Sequence, residues 1–182
     1  MELTVLGRHG PYPAPGGACS GYLVQAGEAR IVLDLGAGTF SRLLGLMPAL
    51  NMDCVILSHL HSDHISDMFV LRYALCQLAD RGVKTTLPLP VIAPEEPREE
   101  YKLLTASGAY DLTAAQDEMQ LRIKDVRIRL HRMTHPVPSY AVTMEHEGKR
   151  FVSTGDTGMR HNLVELCYGA DLLLADANFL DE

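Results

Sequence analysis

The sequence has 182 residues, which is enough for one well-buried domain and does not require two. Hydrophobic residues make up 47% and charged residues 21%, as in ordinary globular proteins, and no apolar run approaches the roughly eighteen residues of a membrane span. The formal net charge of −7 argues against a surface built mainly to hold nucleic acid, because such surfaces are usually basic.

The four cysteines, Cys19, Cys54, Cys76 and Cys167, stand far apart and form no C-x-x-C pair. This spacing predicts reduced, structural thiols rather than a disulfide framework or a metal site. The N-terminus also lacks the basic start and long apolar core of a signal peptide. We therefore expect a cytoplasmic protein with no membrane segment.

The first part of the chain has the character of antiparallel strands. Residues 3–7 and 21–26 are apolar enough for strands, and a turn at Gly27-Glu28 leads into a returning strand that ends at Asp34. Between the first two strands, residues 10–17 hold three prolines and three glycines and cannot be regular structure. A loop of this kind is either functional or a plain surface connection, and the sequence leaves both open.

The chemically most informative stretch is Ser58-His59-Leu60-His61-Ser62-Asp63-His64. An apolar strand at 54–57 precedes it and helical periodicity at 65–79 follows it, so it lies where a strand passes into a helix. Residues two apart at a strand end project to one side, so His59 and His61 can bind one ion, with Asp63 and His64 further round the turn. Imidazole and carboxylate ligands favour zinc, with manganese, iron or cobalt as alternatives. The simpler interpretation, scattered polar loop residues or core histidines, is disfavoured by the strand and helix on either side.

A second candidate, His135, lies in a turn that two prolines fix at the end of a strand. His131 is its competitor but falls within the alternating pattern of residues 119–132, whose basic outer face we interpret as solvated rather than phosphate-binding. His146 lies beside a hairpin turn, where we expect it to be solvated. The other predicted elements are a helix at 41–50 with Ser41 as a candidate cap, a strand at 91–93, a helix at 95–106, strands at 140–145 and 150–154, a short helix at 162–168 and a buried strand at 171–176.

The pattern His-x-His-x-Asp-His at 59–64 resembles the signature of the metallo-β-lactamase-fold hydrolases. Asp34-Leu35-Gly36-Ala37-Gly38 resembles the D-x-G-x-G segment that precedes this signature, and the regions around His135 and Asp156 resemble those that supply a third histidine and a bridging carboxylate. The motifs run in family order across nearly the whole chain. The resemblance implies one α/β (α+β) domain over residues 1–182, an αββα sandwich with metals at one edge between its two sheets.

The same resemblance implies a site for two divalent metal ions. His59, His61 and His135 would hold the first ion, Asp63 and His64 would hold the second, and Asp156 would lie between them. Asp63 would also orient the reacting water or accept its proton. Three further carboxylates are expected to support these ligands: Asp34, Asp67 and Asp176. Asp67 suits the dipole of the following helix but is also placed to hydrogen-bond a liganding histidine.

One ligand of the second ion is missing from the motif order. In ribonuclease Z-like relatives, the strand that here ends at Asp176 leads into a His-Glu-Ala-Thr-like segment, whereas this chain has Ala175-Asp176-Ala177-Asn178. We therefore expect either a truncated sequence that lacks the last C-terminal elements or an incomplete second site. His9 and His161 are the unassigned histidines that would have to substitute.

The features after the signature resemble the ribonuclease Z and small phosphodiesterase branch, which implies small or short phosphodiester substrates. The long Gly/Pro-rich arm with which ribonuclease Z grips transfer RNA has no counterpart in this sequence. A lactone or thioester hydrolase of the same fold is the alternative enzyme. A non-catalytic interaction protein that has kept the fold is the alternative of another class. Because relatives often dimerise, a homodimer is a further expectation.

Overall fold

The structure is a computed structural model that describes residues 1–106, 108–159 and 163–177. Within these ranges the strands form a six-stranded and a five-stranded sheet that face each other. The first sheet contains β1 (Glu2–Gly7), β2 (Gly21–Ala26), β3 (Ala29–Leu35), β4 (Cys54–Ile56), β5 (Leu89–Ala93) and β6 (Tyr110–Ala114). The second contains β7 (Gln120–Ile123), β8 (Val126–Arg132), β9 (Tyr140–His146), β10 (Lys149–Ser153) and β11 (Leu172–Leu174).

The two sheets differ in how their strands pair. The first has the order β1-β2-β3-β4-β5-β6 and is antiparallel as far as β3 and parallel from β3 to β6. The second has the order β11-β10-β9-β8-β7 and is antiparallel except for the β10–β11 pair. The helices are α1 (Thr39–Leu46), α2 (Ser62–Ile65), α3 (Met68–Asp80), α4 (Arg98–Thr105) and α5 (Leu163–Cys167).

Alternating side chains of the first sheet fill two separate cores. Val32 of β3 packs with the apolar faces of α1, α3 and α4, for example with Leu43 and Leu71. Its neighbours Ile31 and Leu33 point to the other side and pack against the second sheet. This period of two is what a strand buried on both faces requires. The layers confirm the predicted αββα sandwich.

The outer face of the second sheet is basic and exposed, as predicted for a solvated face. Arg127 lies 2.9 Å from Glu145, and Arg129 pairs with Glu118. Arg150 donates to the carbonyl oxygen of Leu166 in α5 at 2.8 Å. The cations of this face therefore have acidic or carbonyl partners on the protein itself.

Two predicted elements need correction, and one strand was not predicted. The helix expected at 65–79 is divided into α2 and α3. Strand β6 was not anticipated, because its five residues offer too short an alternation to recognise. The strand expected to be buried at 171–176 forms β11, but Leu172 and Leu173 are each 46% exposed. In the described ranges β11 is an edge strand of the second sheet and pairs only with β10.

No helix in the described ranges is both long and apolar enough to cross a bilayer. The loops that carry the candidate ligands meet where β4, β9 and β10 end or begin. The backbone N–H of Tyr140 in β9 donates to the carbonyl oxygen of Ser58, just after β4, at 2.9 Å. This hydrogen bond joins the two sheets at the edge where the site lies.

Candidate metal centre

Three histidines turn ring nitrogens toward a common point at this edge. The Nδ1 of His61 lies 3.1 Å from the Nε2 of His59 and 3.2 Å from the Nε2 of His135. His59 and His61 follow β4, while His135 comes from the connection between β8 and β9. Residues 74 positions apart in the chain are thus brought into contact by the packing of the two sheets.

This arrangement fits a tetrahedral metal ion. Zinc–nitrogen bonds of about 2.0–2.1 Å place nitrogen ligands roughly 3.3–3.4 Å apart, close to the observed spacings. The ligand atoms of His59, His61 and His135 all lie within 4.8 Å of one another. The pKa of His59 is lowered to about 2, mainly by burial, and burial also lowers the pKa of His135. Neutral imidazoles are the form that binds a metal.

Asp156 connects this trio to a second group. Its Oδ2 lies 3.7 Å from His59 Nε2, and its Oδ1 lies 3.3 Å from His64 Nε2. Asp63 Oδ2 lies 3.7 Å from the same His64 nitrogen. The six residues predicted as ligands therefore lie together at one edge, with the Asp156 carboxylate between the two groups of side chains.

A buried hydrogen-bond network fixes the rings of His59 and His64. Asp34 accepts from Ser58 N at 2.7 Å, from Ser58 Oγ at 2.8 Å and from His64 Nδ1 at 2.8 Å. Ser58 Oγ in turn lies 3.0 Å from His59 Nδ1. If each Nδ1 carries its proton into this network, both Nε2 atoms present lone pairs to the centre.

Asp34 adopts this position at a conformational cost. It is buried and has φ of 53°, in the left-handed region that residues other than glycine seldom occupy. Strain of this kind persists only where the surroundings hold the residue in place, here by the contacts to Ser58 and His64. The supporting role expected of Asp34 agrees with these contacts.

The charges of His64 and Asp156 depend on each other. Burial acts to lower the pKa of His64, but the adjacent carboxylates of Asp34 and Asp156 outweigh it and raise that pKa to about 10. Burial acts to raise the pKa of Asp156, but the hydrogen bond and charge of His64 outweigh it and lower that pKa to about 2. His64 and Asp156 therefore favour each other's charged forms, and a bound cation would replace the positive charge of the proton on His64.

The two glycines after Asp34 have separate structural reasons. At Gly36 a Cβ atom would overlap the Asp63 carbonyl oxygen and lie 2.8 Å from Cys19 Cβ, so only glycine lets the metal loop approach this closely. Gly38 has φ of 86° and precedes α1. The glycines of the D-x-G-x-G pattern therefore allow this segment and the loop that holds Asp63 to pack closely together.

The structure gives Asp67 a different role from the one expected. Its Oδ2 accepts a hydrogen bond from the backbone N–H of Phe40 at 2.8 Å. Burial raises the pKa of Asp67, and backbone hydrogen bonds from Phe40, Gly38 and Thr39 act to lower it. Asp67 therefore caps the N-terminus of α1, and no hydrogen bond to a liganding histidine is found for it in the described ranges. Ser41, the predicted cap, instead donates to the Gly38 carbonyl oxygen.

Asp176 supports the turn that carries Asp156. The backbone N–H of Thr157 donates to Asp176 Oδ2 at 3.2 Å, and the N–H of Asp176 donates to Thr154 Oγ1 at 2.9 Å. The negative charge of Asp176 also acts to raise the pKa of His135, against the effect of burial. These contacts agree with a supporting role for this carboxylate.

Of the other histidines, His146 lies in a different environment from the one expected. His146 is only 9% exposed rather than solvated, because its ring packs over the Gly27 turn. His131 lies on the outer face of the second sheet, 3.0 Å from Glu118, as a structural residue would. His161 falls outside the described residues. His9, the other candidate substitute, lines the cavity beside Asp63 and His64.

That cavity has a volume of about 450 Å³ and extends from the second group of ligands toward the space between the sheets. Its lining includes Arg8, Tyr22 and Ser153 as well as Asp63. Sequence reasoning did not single out Arg8, Tyr22 or the network residue Ser58. Nothing distinguishes Ser58 in the sequence except its place next to His59, and the cavity arises only when the sheets pack together.

Comparison with known proteins agrees with this geometry. The family model described as "Beta-lactamase superfamily domain" matches residues 29–182. The Bacillus subtilis protein named "Probable metallo-hydrolase YhfI" is 32% identical over 179 residues, covering 98% of this chain and 73% of the relative. Its crystal structure superposes with a TM-score of 0.87 over 94% of this chain and 69% of that chain.

Ribonuclease Z proteins are also among the relatives. That of Mycolicibacterium paratuberculosis is 30% identical over 199 residues, covering 96% of this chain and 69% of its own length. The short form of human tRNase Z is 22% identical with a TM-score of 0.71, covering 95% of this chain and 76% of its own, which shows the shared fold. The chain thus belongs to the beta-lactamase superfamily domain family, as a metal-dependent hydrolase of the metallo-β-lactamase fold with ribonuclease Z-like relatives.

Proposed function

We propose that this protein hydrolyses phosphodiesters with a water activated by two divalent metal ions, most suitably zinc. The observation that carries the proposal is the position of Asp156. One of its oxygens faces His59 of the first group, and the other faces His64 of the second. A carboxylate shared in this way is what two adjacent metal ions require of a bridging ligand.

The ligand sets divide between the two ions. His59, His61 and His135 would hold the first, with Asp156 as fourth ligand. Asp63, His64 and Asp156 would hold the second. Three protein ligands and a water are the usual complement of a catalytic zinc site. The ligand atoms of His64 and Asp156 lie within 4.8 Å of one another and of His59, whereas Asp63 does not belong to that group. Imidazole and carboxylate donors without a thiolate favour zinc, with manganese, iron or cobalt as alternatives.

The chemistry follows from these positions. Bound divalent ions lower the pKa of water toward neutrality and stabilise negative charge that develops on the substrate. Asp63, beside this water, would orient it or accept its proton. Asp34 keeps His64 directed at the centre, through the hydrogen bond at Nδ1. Asp176 holds the turn that presents Asp156.

The cavity supports a small or short substrate. Its volume of about 450 Å³ falls in the range of small-molecule sites. The relatives named ribonuclease Z support a phosphodiester as the reacting bond. A cytoplasmic location and a homodimer stay predictions; the free thiols of Cys19, Cys54, Cys76 and Cys167 support the first.

A substrate screen tests this proposal. The zinc-loaded and manganese-loaded protein would be assayed with bis(p-nitrophenyl) phosphate, cyclic nucleotides and short oligonucleotides, and in parallel with a lactone and a thioester. We expect chelator-sensitive turnover of at least one phosphodiester and slower, though measurable, turnover of the esters. Turnover confined to the lactone or thioester would establish the alternative enzyme. Binding of metal without hydrolysis of any substrate would favour a non-catalytic protein of this fold.

A further inference from the structure

Arg8 follows β1 and lines the same cavity as Asp63, His64 and Asp156. It is the arginine nearest in the chain to the irregular loop at 10–17, for which the sequence left a functional and a plain structural interpretation open. The proposed hydrolysis assigns no role to it. Its side chain is exposed to the cavity and to solvent rather than packed in a core.

The backbone that carries Arg8 is firmly held. The N–H groups of Arg8 and His9 both donate to the Ala18 carbonyl oxygen at 3.1 Å. The guanidinium of Arg42 donates to the carbonyl oxygens of Leu6 at 2.6 Å and Gly16 at 2.8 Å, which ties the two ends of the loop to α1. These hydrogen bonds therefore fix the backbone of Arg8 beside the cavity.

The charge of Arg8 contrasts with the rest of the cavity. Apart from His9 and His64, the other charged lining residues are carboxylates: Asp34, Asp63, Asp156 and Asp176. Arg8 itself forms no ion pair with any carboxylate in the described ranges, whereas Arg98, Arg122, Arg127 and Arg129 elsewhere each pair with one. The guanidinium is thus available to an anionic ligand in the cavity that Asp63, His64 and Asp156 also line.

The influence of Arg8 also extends to the inner wall of the cavity. Burial, first of all, and the charge of Asp34 raise the pKa of Tyr22 to about 12, and the positive charge of Arg8 opposes this rise. Tyr22 lines the cavity at a position that is only 9% exposed. The field of Arg8 therefore acts inside the cavity and not only at its mouth.

We propose that Arg8 binds a negatively charged group of the substrate and so selects anionic phosphodiesters over neutral esters. This inference rests on the proposed function, since it assigns the substrate selectivity of the same site. A guanidinium presents paired N–H donors that match two phosphate oxygens, and such charge-assisted, bidentate hydrogen bonds are stronger than those between neutral groups. A neutral lactone or thioester gains nothing from it.

The test compares Arg8→Gln and Arg8→Lys with wild type and with Arg98→Gln, which removes an exposed arginine paired with Glu96. Turnover is measured on bis(p-nitrophenyl) phosphate and on the neutral ester p-nitrophenyl acetate. Binding of inorganic phosphate to the zinc-loaded protein is measured by calorimetry. For Arg8→Gln we expect KM for the diester and Kd for phosphate to rise about tenfold or more, with the neutral ester and the zinc content unchanged. Arg8→Lys should give KM and Kd values between those of wild type and Arg8→Gln, and Arg98→Gln should give the values of wild type.

Two results would overturn the inference: unchanged phosphate binding in Arg8→Gln, or an equal loss of activity on the anionic and neutral substrates. Failure of the wild-type protein to hydrolyse any diester would instead overturn the proposed function. The phosphate titration separates the two, because it needs no turnover. A weaker phosphate affinity in Arg8→Gln would then still establish the anion site.

Discussion

Asp34 makes three buried hydrogen bonds, to Ser58 N, Ser58 Oγ and His64 Nδ1, at 2.7–2.8 Å. It touches no predicted metal directly, yet both His59 and His64 are oriented through it. At the scale of single residues, the centre therefore depends on groups that the ligand motif does not include.

Replacing Asp34 by Asn should weaken metal binding about 10–100-fold, because the amide cannot accept all three hydrogen bonds. Asparagine tolerates the left-handed backbone of this position, where φ is 53°, so the change acts mainly on the side chain. Zinc affinity measured by competition with a chelating dye checks this. Asp53→Asn is the control, since Asp53 serves Arg30 and Lys124 at the opposite end of β4. Equal affinity in Asp34→Asn and wild type would contradict the orienting role.

His61→Ala should lose both zinc and hydrolysis, because the Nδ1 of His61 lies between the other two nitrogens of the trio. The loss of affinity should exceed that of Asp34→Asn, since a ligand itself is removed. His131→Ala is the matched control, because His131 contacts Glu118 on the outer face of the second sheet. Retained zinc and activity in His61→Ala would refute the assignment of the first ion.

At the scale of elements, the metal loop depends on its contact with the segment after β3. Gly36→Ala would force a methyl group onto the Asp63 carbonyl oxygen. We expect it to cost about 1–3 kcal/mol of the free energy of unfolding and to weaken metal binding as Asp63 shifts. Gly45→Ala, in the exposed part of α1 with open space around it, should instead stabilise by about 0.5–1 kcal/mol. Denaturant unfolding measures the free energy of unfolding of both variants. Equal changes at the two glycines would contradict the close contact of Gly36 with the metal loop.

We expect the stability of the protein to fall at alkaline pH because of Cys54 in β4, the strand that leads into the metal loop. Burial, first of all, and the charge of Asp53 raise the pKa of Cys54 from 9.0 to about 12. Between these values the unfolded thiol loses its proton while the folded one keeps it, so stability falls as pH rises, by up to about 1.4 kcal/mol per pH unit. The free energy of unfolding of wild type should decline more steeply than that of Cys54→Ala between pH 9 and 11. Parallel slopes would show that the folded thiol ionises as freely as the unfolded one.

Local signals in the sequence predicted most elements, and non-local contacts account for those that differ. Helix α1 begins at Thr39 rather than Ser41, because Asp67, 27 residues after Phe40, caps it. The residues of the helix itself give no indication of a capping carboxylate so far along the chain. The apolar residues 172–174 indicated a strand correctly but not its exposure, since burial depends on what lies beside β11.

At the scale of the whole molecule, the centre exists because two sheets meet at one edge. The cluster at 59–64 was visible in the sequence, because its ligands are adjacent in the chain. His135 and Asp156 could be assigned only through the order of family motifs, since their approach depends on the pairing of β8, β9 and β10. The burial of His146 and the presence of Arg8 in the same cavity as Asp63 are results of packing that no local pattern encodes.

We propose that this chain assembles a centre for two ions around Asp156. Elemental analysis of protein saturated with zinc and then freed of unbound metal tests it most directly. We predict about two equivalents of zinc per chain in wild type, because Asp156 offers one oxygen to each group of histidines. One equivalent or none would contradict a dinuclear centre.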